Sequence, residues 1–162
     1  MRGKSLSDYR DKILRITAKM LSEGGPEKVS MRKVASAAGI SVGGIYKLFE
    51  NKEDLIMEAA KMASVEFKEK VLAIDDIYDI LRATMDHSKE NKWIIRYLAM
   101  KDPSFTRSIF KDILDHMENL LQDRAKARVL FRLASMQGMI GGQEEETIVW
   151  KLIKFLLSED HS

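Results

Sequence analysis

The chain has 162 residues, of which 45% are hydrophobic and 32% charged, with two prolines and no cysteine. That apolar share supports a core and argues against disorder, and the length suits one compact domain or a small head on a modest body. The lack of cysteine excludes disulfides, thiolate metal sites and a cysteine nucleophile. No apolar run approaches the roughly 20 residues that span a bilayer, and Met1 to Tyr9 is polar and charged. A cytoplasmic protein without a signal peptide is therefore expected. The formal net charge of +2 is unevenly spread: residues 1–52 hold eleven Lys/Arg against five acids, and the remainder carries an acidic surplus of four. A basic head on an acidic body points to a polyanionic partner.

Helix signals run the length of the chain. Ser5 or Ser7 can cap a first helix whose stripe is Tyr9, Ile13, Ile16 and Met20, flanked by Leu14 and Leu21. Gly24-Gly25-Pro26 stops it. Ser30 caps a second helix, Met31 to Ala38, and Gly39 supplies the residue tolerant of positive φ past its end. Ser41 caps a third through Phe49. Asn51, with Asp54 three residues on, opens a fourth that runs to about Leu72.

Asp75-Asp76 opens a helix carrying Ile77, Ile80, Leu81, Thr84 and Met85, and Asn91 opens a short one with Ile94, Ile95, Leu98 and Met100. Pro103 starts a long helix with Phe105, Ile109, Ile113, Met117, Leu120 and Leu121. Two more follow, Arg124 to Ile140 and Glu144 to Leu157, the acids Glu144-Glu145-Glu146 suiting a helix N-terminus. No strand pattern or repeat is present, so the expected fold class is all-α. It comprises a three-helix head with a helix-turn-helix over residues 1–50 and a helical body over 51–162.

The most informative stretch is Met31 to Phe49. Val34, Ala35, Ala38, Gly39, Ile40, Ile45 and Leu48 have the spacing of a DNA-binding helix-turn-helix. Two short helices that cross steeply need a small residue at the contact, Ala35, and a positive-φ residue in the turn, Gly39. Ser41 can cap the second helix and reach a phosphate. An ordinary helical hairpin with a glycine turn has the same minimal spacing. The flanks add further constraints: a preceding helix, the Tyr46-x-x-Phe49 pair, and Asn51-Lys52-Glu53-Asp54-Leu55 directly after.

This run resembles the tetracycline-repressor-like (TetR) family of bacterial transcriptional regulators. The resemblance is carried by Val29-Ser30-Met31-Arg32-Lys33-Val34-Ala35, Ala38-Gly39-Ile40-Ser41, Gly43-Gly44-Ile45-Tyr46-Lys47-Leu48-Phe49 and Asn51-Lys52-Glu53-Asp54-Leu55. It covers roughly residues 9–60. It implies a recognition helix with Val42, Gly43, Gly44, Tyr46 and Lys47 toward the major groove of duplex DNA. Tyr46 would meet phosphate or a base edge, and Lys47 phosphate or guanine. Ser30, Ser41 and Lys52 would hold phosphates, Arg32 a base or the backbone, while Phe49 and Leu55 belong to the core. The sequence departs from the family where many members carry Lys and Thr, at Val42 and Gly44. Readout would then lean on Lys47, Arg32 and DNA shape.

The resemblance also implies a homodimer, with the last two helices forming a four-helix bundle with a partner copy. The last helix has two apolar stripes, Val149, Ile153 and Leu156 on one and Ile148, Leu152 and Phe155 on the other; a lone surface helix needs one. Ala134 and Gly138 would permit close helix approach, so Ala134, Gly138, Val149, Ile153 and Leu156 are the expected interface. Met62, Phe67, Met85, Trp93, Tyr97, Phe110 and Met117 are candidates to line a pocket for a small apolar effector, and suit a plain core equally. The resemblance implies that a ligand would move the helix Lys52–Leu72, which separates or reorients the two heads. His87 and His116 are read as solvated, no metal or other cofactor is expected, and no nucleophile–base constellation marks an enzyme. The expected function is a TetR-type repressor that binds a near-palindromic operator and is released by the effector. A DNA-binding dimer without ligand sensing, and a helical interaction module that does not bind DNA, are the rivals.

Overall fold

A computed structural model describes residues 6–158. All regular structure among them is helical, in chain order α1 (Leu6–Gly24), a 3-10 turn (Pro26–Lys28), α2 (Met31–Ala38), α3 (Val42–Tyr46), α4 (Lys52–Leu72) and α5 (Ile77–Glu90). Then follow α6 (Lys92–Lys101), α7 (Pro103–Leu121), α8 (Arg124–Ile140) and α9 (Gln143–Ser158). The helices pack as two units. One holds the chain up to Glu66 together with Trp93–Pro103; the other holds Phe67–Lys92 and the chain from Ser104 onward. The single helix α4 therefore contributes residues to both.

In the first unit, α1 buries Ile13, Leu14, Thr17 and Leu21, with Tyr9, Ile16 and Met20 half-buried. The buried stripe thus includes a threonine that hydrophobic periodicity passes over. Thr17 Oγ1 donates to the Ile13 carbonyl at 2.8 Å, which removes the cost of burying the hydroxyl. The expected cap Ser5 lies outside the described residues, and Ser7 is already helical. Gly25, at φ 81°, turns the chain into the 3-10 segment. Asn51 Oδ1 caps α4 by accepting from the Asp54 N–H at 2.9 Å, and Asp54 Oδ2 accepts from the Glu50 N–H at 3.1 Å.

In the second unit, α5 lies along α8. A Cβ built on Gly138 would come 2.1 Å from the Met85 carbonyl oxygen and 2.7 Å from Ser88 Cβ, so only glycine admits this approach. Ile80, Leu81, Ile113, Met117, Leu130 and Ile153 fill the core. Asp76 and Asp123 cap α5 and α8 through their carboxylates. The two histidines are not solvated as expected. The His87 ring stacks on Phe67 with centroids 3.7 Å apart, and its Nδ1 lies 3.2 Å from the Asn91 amide. Burial, and secondarily the charge of Lys70, lowers its pKa to about 4. His116 Nε2 lies 2.8 Å from the Ile74 carbonyl, within hydrogen-bond reach.

Candidate nucleic-acid interface

The two helices of the turn are fixed by their own ends. Ser30 is extended, and its hydroxyl accepts from the Lys33 N–H at 3.4 Å, opening α2. Gly39 takes the left-handed conformation, φ 75° and ψ 35°, and closes α2. No heavy atom lies within 4 Å of where its Cβ would stand, so backbone conformation, not space, requires the glycine. Ser41 Oγ then accepts from the Gly44 N–H at 3.0 Å and opens α3. Val34, Ala35, Ala38, Ile45 and Phe49 are all buried, the side chains that hold α3 against α2 and the rest of the head.

Helix α3 ends at Tyr46, three residues short of the expected Phe49. The chain tightens there: the Leu48 and Phe49 N–H groups both donate to the Ile45 carbonyl, at 2.8 and 3.0 Å. Paired glycines are poor helix formers, and Gly43-Gly44 occupies two of the five helical positions. Neither glycine is sterically required, because a Cβ at Gly43 would meet only Ser41 Oγ at 3.9 Å. At Gly44 the added atom would sit 3.4 Å from Ser41 Oγ and 3.6 Å from Ile40 Cδ1, against the protein.

Outward from this frame stand Ser41, Gly43, Tyr46 and Lys47, all exposed, with Tyr46 at 55%. Arg32 and Lys33 are exposed on α2, while Ser30, Val42, Gly44 and Lys52 are half-buried. Arg32, Lys33 and Lys47 form no ion pair among the described residues, so their charge is available to a polyanion. Phe49 and Leu55 are core residues, at 2% and 0% exposure.

Not all of the head's positive charge is available. Arg10 on α1 donates through Nη1 to the Leu48 carbonyl at 3.0 Å, pairs through Nη2 with Glu58, and lies 4.5 Å above the Phe49 ring. It thereby ties the end of the turn to α4. Lys12 Nζ donates to the Ala38 carbonyl at 2.8 Å, at the negative end of α2. Arg15 pairs with Glu66 at 2.7 Å. Counting charge in the sequence misses this division. The i, i+48 separation of Arg10 and Glu58 gives no local signal of it.

The expected effector residues do not come together in one place. Trp93 and Tyr97 line a cavity of about 600 Å³ within the first unit. Met62 is half-buried on α4, also in the first unit. Phe67, stacked on His87, belongs to the second unit, as do Met85 and Met117, at 4% and 0% exposure. Phe110 packs edge-on to Phe131 and borders a separate pocket of about 370 Å³. Of the expected dimer residues, Ala134, Gly138 and Ile153 are buried within the chain itself, and Val149 and Leu156 are half-buried. The apolar side chains that α8 and α9 leave exposed are others: Val129, Met136, Ile140, Ile148, Leu152 and Phe155. Among the described residues no cluster of three or more His, Asp or Glu is placed to hold a metal ion, and no helix is long and apolar enough to cross a membrane.

Fold and turn together define a helix-turn-helix protein with an all-α body. Residues 13–59 match the family model described as bacterial regulatory proteins, tetR family. The HTH-type transcriptional repressor AcnR of Corynebacterium diphtheriae is 28% identical over 105 residues, covering 62% of this chain and 55% of that protein. The chain spans about half the length of the curated relatives it matches. A tetR-family transcriptional regulator from Streptomyces coelicolor has the same fold at TM-score 0.71 and 16% identity, over 96% of this chain and 80% of that one. So does FadR from Bacillus subtilis, solved in complex with stearoyl-CoA, at TM-score 0.62 and 18% identity, over 93% and 99%. Residues 13–59 thus match the helix-turn-helix segment of the tetR family, and most of the chain shares its fold with solved TetR-family regulators.

Proposed function

We propose that this chain is a repressor that binds a near-palindromic operator as a homodimer and is released by a small effector with an apolar part. The observation that carries the reading is the outward face of a capped and glycine-turned helix pair. Arg32, Tyr46 and Lys47 stand there, unpaired with acids among the described residues, on a frame whose core residues are closed. Lys47 and Arg32 supply phosphate or guanine contacts, and Tyr46 a phosphate or base-edge contact. The serine hydroxyls of Ser30 and Ser41 sit at the helix starts, where phosphates approach, and Lys52 joins them from α4.

Dimerisation is supported by the apolar face of α8 and α9. Ile148, Leu152 and Phe155 recur at steps of four and three on one side of α9, and all are exposed. A second copy of the same face would cover them, and a two-fold dimer matches a two-fold operator. The effector reading is supported by FadR, which holds an acyl-CoA within the same fold.

The test is operator selection from random duplexes, followed by fluorescence anisotropy at several salt concentrations. Lys47→Ala is expected to weaken binding and to flatten the slope of log affinity against log salt by about one. Tyr46→Ala is expected to weaken binding with thermal stability unchanged, since the side chain is exposed. Selection that enriches no sequence, or two variants that bind a selected operator as the parent does, would overturn the reading.

A further inference from the structure

The first unit contains a cavity of about 600 Å³, in the size range of small-molecule sites, roughly 300–1,000 Å³. Its apolar walls are Ile56 on α4 and Trp93, Tyr97 and Met100 on α6. Trp93 is braced from behind: a Cβ on Gly25 would already come 3.1 Å from the indole ring, so the backbone of the α1 turn holds the ring in position. The charged lining is Lys52, Glu53, Arg96 and Lys101. Glu53 and Lys101 satisfy each other at 2.5 Å. Lys52 and Arg96 form no ion pair among the described residues, so no acid neutralises either charge, although the Arg96 guanidinium lies 5.8 Å from the centroid of the Trp93 ring.

Tyr97 gives the independent observation. The residue is 8% exposed, and its hydroxyl meets no hydrogen-bond partner among the described residues. An orphaned buried hydroxyl is costly and uncommon. Tyr97 itself lines the cavity, together with Glu53 and Lys101. Burial, with Glu53 adding to it, raises the phenol pKa, so at neutral pH it is a protonated donor awaiting an acceptor.

These groups select a ligand chemistry. A bare phosphate would leave Ile56, Trp93 and Met100 unused. A plain hydrocarbon would leave the Tyr97 hydroxyl without a partner and the Lys52 and Arg96 charges without an anion. A planar apolar body bearing a carboxylate answers both, with the ring against Trp93 and the carboxylate accepting from Tyr97 and facing Arg96 and Lys52. We propose that this cavity is a binding site for a small aromatic carboxylate, formed beside the first turn of α4. Its role as an effector site rests on the repressor reading above; its occupancy does not.

Isothermal titration of the full chain with trans-cinnamate, and with cinnamamide as the neutral isostere, tests the site without DNA. Saturable binding of cinnamate, one per chain, is expected, with cinnamamide weaker. Tyr97→Phe keeps the ring and removes only the donor, and is expected to weaken cinnamate about tenfold, as a lost hydrogen bond to a charged group would. Arg96→Gln is expected to weaken cinnamate while leaving cinnamamide unchanged. Circular dichroism melting of both variants establishes that they are folded. The proposal is overturned if cinnamate gives no saturable heat at millimolar concentration, or if folded Tyr97→Phe and Arg96→Gln bind it as the parent does. A chain that binds cinnamate in this variant-dependent way yet selects no operator would keep the site and lose the repressor reading.

Discussion

Gly43→Ala separates what the recognition helix needs for folding from what it needs for DNA. The added methyl would meet a single heavy atom, Ser41 Oγ, at 3.9 Å, an ordinary contact, and it projects from an exposed position. Gly43 lies in α3, where alanine is compatible with the backbone, so the substitution removes freedom only from the unfolded chain. Such changes stabilise by about 0.4–1 kcal/mol. In a chain of this size that raises Tm by about 1–4 °C. If the bare backbone at Gly43 is where the groove approaches closely, the methyl holds the surfaces apart. Operator affinity is then expected to fall about tenfold, or about 1.4 kcal/mol. Stability and affinity therefore move in opposite directions. Gly44→Ala is the control, because its methyl would point at Ile40 and Ser41 and affect operator binding less. Thermal melts followed by circular dichroism give the first quantity, and anisotropy on a selected operator the second. A lower Tm for Gly43→Ala, or a higher Tm with unchanged operator affinity, would refute the reasoning.

Gly138→Ala places a methyl 2.1 Å from a backbone oxygen of α5, and overpacking of this kind is expected to cost about 3 kcal/mol, seen as a Tm lower by about 6–12 °C. His87 is held neutral in the folded chain, with a pKa of about 4 against the ordinary 6.5. Between those values the unfolded chain binds the extra proton, so stability falls as pH drops from about 6.5 to 4, by up to about 3 kcal/mol. Urea titrations across that range should show the loss, and His87→Gln should flatten it. Leu152→Asp combined with Phe155→Asp is expected to convert a dimer to a monomer in sedimentation at micromolar concentration; a parent chain that sediments as a monomer would remove the dimer.

The sequence announced several helix starts and the end of α2 because capping is local chemistry, while the early end of α3 at Tyr46 went unread. Ser30, Ser41, Asn51 and Asp76 each accept the backbone N–H three residues on, and Gly39 adopts the positive φ that its place after Ala38 requires. The buried positions of the turn were equally legible, since Val34, Ala35, Ala38 and Ile45 answer to fixed spacing. Long-range contacts were not. Nothing near Gly138 in the chain says that its missing side chain faces Met85 of α5. The indole of Trp93 rests on Gly25, 68 residues earlier, so the cavity beside α4 has no contiguous signature. Hydrophobicity also misassigned His87, whose ring is sheltered by Phe67 although the residue type suggests solvent.

The Arg10 contacts bear on how this head can be transplanted. One guanidinium holds the Leu48 carbonyl, the Phe49 ring and the Glu58 carboxylate at once. A chimera joined just after Phe49 would carry the cation and two of its three anchors but leave the carboxylate behind. The grafted recognition helix would then sit on a foreign α4 with an unmatched charge beneath it. A junction beyond Glu58 transfers the whole arrangement, so the smallest portable unit of DNA specificity includes the opening turns of α4.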